Sequence, residues 1–153
     1  MPKWKGKKCH KCKKKVSRNG KWEYGIGGFH QYCWQRWKRG KLRDKADKEW
    51  SKAVMRKYGE VCLITGDYAN QSHHFFPKSG YPQLRYTVEN GVPVSKKGHM
   101  IIERKNDPEA QQKIIRSRGK EWYDSLVEKS KEEIPPSRDI EYYEKQIERL
   151  QKI

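Results

Sequence analysis

Hydrophobic residues are scarce in this chain. They make up 33% of its 153 residues, while 36% are charged. That excludes a large apolar core and leaves room for one domain, or for two small modules that share little core. No apolar run is long enough to cross a bilayer, so no membrane partner is expected. The start, Met-Pro-Lys-Trp-Lys, lacks the apolar stretch of a secretory signal, and a cytoplasmic location is expected. Cysteine is sparse, with four in all, and the spacing Cys9-x-x-Cys12 suits a metal better than a disulfide. Acidic residues are nearly missing from the first 60 positions, where five stand against 20 Lys and Arg. Over the rest of the chain the balance is close, 14 against 16.

Positive charge concentrated in this way calls for a polyanionic partner, and DNA is the first expectation. A merely solvated basic tail is the bland alternative. Six tryptophans, four of them in the first 40 residues, argue against simple disorder. Lys13, Lys14, Lys15, Arg36, Lys38 and Arg39 are the expected DNA contacts of this region. Two ligand pairs, Cys9 with Cys12 and His30 with Cys33, flank an Asn19-Gly20 turn signal. Each pair can supply one edge of the tetrahedron that a structural Zn²⁺ needs. The stretch resembles the first half of a LIM-type or treble-clef finger. His30 is the least secure ligand, since His10 or Cys62 can take its place.

From about Trp34 to Tyr58 the apolar positions Trp34, Trp37, Leu42, Ala46, Trp50, Ala53 and Val54 fall near a 3.6-residue period. This predicts a helix, with Gly40 as a potential break and Gly59 as its stop. Its other face is rich in Lys and Arg, which reads equally well as a solvated face or as a ridge along DNA. Short strands are predicted at 61–64 and 88–94. A helix capped by Ser95 is predicted to reach Lys105, and two more follow, from Asp107-Pro108-Glu109 and over 121–133. Beyond Pro135-Pro136, the residues Ile140, Tyr143, Ile147 and Leu150 form a short apolar stripe. It suits docking on its own domain or a homodimer contact. The organisation expected is thus α+β: a basic zinc-finger module over 1–40, a basic linker helix over 41–59, a further domain over 60–133 and an amphipathic helix over 134–153.

The segment with most chemical content is His73-His74, then Asn90, then His99. With Pro82-Gln83-Leu84-Arg85-Tyr86 and Glu89-Asn90-Gly91-Val92-Pro93-Val94, it resembles the HNH (ββα-metal) endonucleases, and within them the phage NinG-like recombination endonucleases. The resemblance covers about residues 60–130. It implies a ββα-metal core in which His74 is the general base and Asn90 orients it through a side-chain or backbone hydrogen bond. His73 and His99 would be ligands of one divalent ion, Mg²⁺ or Mn²⁺, with Ni²⁺ or Zn²⁺ also suited to imidazole. Glu103, one helical turn beyond His99, is a further ligand or supports one. Arg85 and Lys78 are candidates to hold phosphate. Many HNH enzymes also carry a CxxC…CxxC zinc knuckle. Here those positions read Cys62-x-x-Thr65 and Ser95-x-x-Gly98, so three thiolates are missing and Cys62 is expected to be a buried, inert residue.

The function implied is hydrolysis of DNA phosphodiester bonds in phage recombination or processing, in the host cytoplasm, with release of 5′-phosphates. A homodimer would set two sites on two strands of a junction. The competing expectations are a non-catalytic zinc-finger adaptor for nucleic acid with a degenerate HNH fold, and, more weakly, a protein-binding LIM-like module.

Overall fold

A computed structural model describes residue 12 and residues 31–105, 108–137 and 139–153. Over these residues the protein is mixed α+β, with five helices and one two-stranded antiparallel sheet. Helix α1 spans Gln31–Tyr58, and the sheet pairs β1, Gln71–His74, with β2, Gly91–Val94. Three helices follow: α2 (Lys96–Lys105), α3 (Pro108–Arg118) and α4 (Lys120–Lys129). The last is α5, Ile140–Gln151.

The long amphipathic helix is present, and it runs unbroken through Gly40 and across the 40/41 boundary between the first two segments. Its apolar stripe is the centre of the fold. Ala46, Trp50, Ala53 and Val54 are buried against Tyr86 and Val88 on one side and against Tyr143, Ile147 and Leu150 of α5 on the other. The C-terminal stripe therefore docks on its own chain. Asp139 caps that helix by accepting a hydrogen bond from the Glu141 amide at 2.9 Å. Arg56 Nη2 donates to the Leu150 carbonyl at the helix's far end, at 2.8 Å.

A second apolar cluster joins Cys62, Ile64 and Ala69 to Val92, Val94, Ala110 and Ile114. It fixes the sheet against α2 and α3. Gly91 lets the sheet meet α1, because a Cβ there would sit 2.1 Å from Val54 Cγ2.

The strand predicted at 61–64 is corrected. Val61 makes only an isolated bridge with Tyr68, and residues 62–67 form a turn in which the Gly66 amide donates to the Cys62 carbonyl. Gly66, at φ 76°, dictates the turn. The predicted strand at 88–94 is shortened too: Val88–Asn90 wind into a 3₁₀ turn before β2 begins. The strand that carries the histidine dyad had no sequence signal, because Gln-Ser-His-His shows no apolar alternation. Ser95 caps α2 as expected, its Oγ accepting from the Gly98 amide at 3.1 Å.

Candidate active site

Adjacent residues of a strand project to opposite faces, and this separates the two histidines of the dyad. His73, opposite Val92, turns toward α2, where its ring meets that of His99 edge-on with 5.2 Å between centroids. His74, opposite Gly91, turns toward α1 and stacks flat on Trp50, with centroids 3.7 Å apart and planes within 7°. Both rings nevertheless line one pocket of about 600 Å³, together with Asp47, Ser72, Lys78 and Glu103.

His74 Nε2 lies 2.8 Å from the carbonyl oxygen of Arg85. A carbonyl can only accept, so Nε2 carries the proton and donates, and in the neutral ring Nδ1 keeps its lone pair. Burial, aided by the Lys78 charge, pushes the His74 pKa down to about 4, although the Arg85 carbonyl works the other way. At neutral pH the ring is therefore an uncharged acceptor.

Asn90 is fully buried, and its side-chain hydrogen bonds go to backbone groups. Its Oδ1 accepts from the Phe76 amide at 2.8 Å. Its Nδ2 donates to the carbonyls of Phe76 and Leu84 at 3.0 and 3.3 Å. Asn90 thus ties the end of β1 to the turn that presents the Arg85 carbonyl. The orientation is carried by backbone, one residue removed.

Arg85, expected as a phosphate ligand, is engaged elsewhere. Its Nε and Nη2 donate to the two carboxylate oxygens of Asp47 at 2.9 and 2.6 Å. Burial would raise the Asp47 pKa, but the hydrogen bond and charge of Arg85 outweigh it and hold the carboxyl below its usual range. Lys78 stands at the pocket rim, 3.8 Å from Asp47 and half exposed.

His73, His99 and Glu103 each offer a ligand atom, and these atoms all lie within 4.8 Å of one another. His99 Nε2 and Glu103 Oε1 are 3.2 Å apart, as expected for residues one helical turn apart. Burial first, then the neighbouring His99, lowers the His73 pKa to about 4 despite the opposing pull of Glu103, which leaves its lone pair available. Two imidazoles and one carboxylate facing an open pocket fit a divalent ion with room for water or a phosphate oxygen.

The four knuckle positions do converge, without a cysteine set. Thr65 Oγ1 and Ser95 Oγ are 3.1 Å apart, and the Thr65 amide donates to Cys62 Sγ at 3.4 Å. A Cβ on Gly98 would fall 2.6 Å from that sulfur. Hydrogen bonds between the turn and the start of α2 stand where a thiolate set would hold a metal. Burial would raise the Cys62 pKa, but bonds from Thr65 and Ser95 bring it to about 7.

Of the N-terminal residues, Cys9, His30, Lys13, Lys14 and Lys15 lie outside the described residues. Cys12 is exposed, and Cys33 sits in the first turn of α1. Lys38 is 3.2 Å from Glu144 of α5 and lies over the Trp34 ring. Arg36 and Arg39 share that end of α1, and none of the three lines the pocket. Sequence reasoning missed Asp47 and Trp50 as site residues. Trp50 lay within the apolar stripe and read as core alone, and no local spacing links Asp47 to a partner 38 residues away.

No family model, no curated protein and no solved structure matches this chain. The site has to be read from its own residues.

Proposed function

We propose that this chain is a metal-dependent DNA endonuclease of the HNH kind, with a ββα-metal core, acting in phage DNA recombination or processing. The observation that carries this reading is the division of labour within the dyad. His74 has one nitrogen committed to the Arg85 carbonyl and the other left as an acceptor, while His73 joins His99 and Glu103 in a ligand set lining the same pocket.

In this mechanism Nδ1 of His74 accepts a proton from a water molecule in the pocket. The water oxygen bonds to phosphorus as the bond from phosphorus to the 3′ oxygen breaks, leaving a 5′-phosphate and a 3′-hydroxyl that takes a proton from solvent. The negative phosphodiester close to His74 raises the imidazole pKa from its low resting value toward the working range, where it is a better base. Lys78, at the rim, holds the incoming phosphate. A divalent ion held by His73, His99 and Glu103, Mg²⁺ or Mn²⁺ in the cell, would neutralise charge on the phosphate and on the departing oxygen. A structural Zn²⁺ on Cys9, Cys12, His30 and Cys33 belongs to the same proposal.

The test is cleavage of labelled duplex and four-way-junction DNA with Mg²⁺, Mn²⁺ or EDTA. Substituting His74→Ala is expected to lower cleavage by roughly 10²–10⁴-fold, the usual contribution of a general base, while DNA binding persists. Binding without cutting in every metal would sink the enzyme and favour the adaptor.

A further inference from the structure

A second groove of about 600 Å³ runs beside the pocket. One wall is α1, with Lys48, Lys52 and Arg56, and the other includes Glu60 and Asn70. Ser51 belongs to both cavities. Its hydroxyl donates to Ser72 Oγ at 3.0 Å, and Ser72 immediately precedes His73. The two serines therefore form a low polar sill between the groove and the ligand set.

We infer that this groove is the track along which one DNA strand reaches the pocket, its phosphates held by Lys48, Lys52 and Arg56. The inference rests on the nuclease reading and adds where and how the substrate is gripped. Residues four apart on a helix share a face and are separated by about 6 Å along the axis, a spacing commensurate with successive phosphates of one strand. All three cations are exposed. The nearby acidic groups are Glu49, a buried residue 2.9 Å from Lys52, and Glu60 on the groove wall. Arg56 spends one nitrogen on the Leu150 carbonyl and keeps the rest of its fork. Lys78 stands at the rim of the pocket. A backbone entering by the groove and crossing the sill arrives at His73 with its next cation in Lys78.

Binding of a short labelled DNA duplex is measured by anisotropy, without added Mg²⁺ or Mn²⁺, with the full chain carrying His74→Ala. Three proteins are compared: this parent, the parent with Lys48→Glu and Lys52→Glu, and the parent with Lys145→Glu on α5 and Lys152→Glu at its C-terminal end. Both double variants change the net charge equally. The track predicts that the first double variant binds at least roughly tenfold more weakly, and that its slope of log Kd against log salt falls by about 2, the effect of losing two phosphate contacts. The α5 variant is expected to stay near the parent. Equal losses in the two variants, or none in the first, would overturn the track. Lys48→Gln with Lys52→Gln removes the charges without setting carboxylates beside Glu49, and keeps the test valid if the Glu variant is poorly folded. The assay uses no active-site metal and no catalysis. A wild type that binds through this groove but never cuts would refute the nuclease reading alone, and one that cuts while the first double variant binds normally would refute the track alone.

Discussion

Trp50 and the Arg85 carbonyl grip the His74 imidazole from two directions, and the carbonyl is steadied through the Arg85 side chain by Asp47. Asp47→Ala leaves a partly buried guanidinium without its carboxylate. We expect a loss of about 1–3 kcal/mol in urea unfolding. Cleavage should show a lower kcat with little change in KM, and an unchanged kcat would mean that Asn90 holds the turn unaided. The dyad also makes a pH prediction. His73 and His74 titrate at 6.5 when unperturbed and at about 4 in the folded protein, so the unfolded chain takes up protons first as pH falls. Their contribution to stability is complete above 6.5 and is lost on the way down to about 4. Without added divalent ion, Tm should fall across that window, and less steeply in His74→Asn; parallel curves would show that His74 titrates alike in the folded and unfolded chain. His73, His74, Asn90 and His99 were legible because their spacing is local and their residue types are chemically specific. Asp47 and the Arg85 carbonyl were not, because one acts from 38 residues away and the other is backbone.

Gly91 sits where α1 and the sheet come closest. Adding a methyl group there drives it into Val54, and Gly91→Ala is expected to cost about 1–3 kcal/mol, the usual range for overpacking. Val54→Ala should restore part of that loss in the double variant, as read by thermal melts; additive losses would place the strain elsewhere. The helices were foreseen well, since an apolar stripe, Ser95 as a cap and Pro108 at a helix start are local signals. The strands were foreseen poorly. Each is four residues long and has no alternation, and β2 is buried along its whole length. Their position comes from pairing, and the Gly66 turn converts an apolar run that looked extended into a bend.

Across the whole molecule, α1 is the common support. One face carries the core shared with α5, Trp50 reaches the site, and the basic residues line the groove beside it. Leu150, fully buried in that core, couples α5 to this support. Leu150→Ala should lower stability by about 2–5 kcal/mol. Because Trp50 lies in the same cluster, the melt of the site, followed as the fluorescence difference between proteins with and without Trp50→Phe, should shift together with the helix content followed by circular dichroism. Separate transitions would show that α5 is dispensable to the site.

By itself the sequence determined the charge asymmetry, the helical stripes and the candidate His-His-Glu cluster, because composition, periodicity and local spacing are properties of neighbouring residues. Only the tertiary structure decided that the two adjacent histidines face different neighbours, His74 against Trp50 and His73 against His99. It decided too that the Asn90 side chain bonds to the Phe76 and Leu84 backbone, that Arg85 pairs with Asp47, and that the C-terminal stripe packs on α1. Each of those depends on atoms from segments far apart in the chain, and such contacts exist only once the apolar faces of α1, the sheet and α5 have closed on one another.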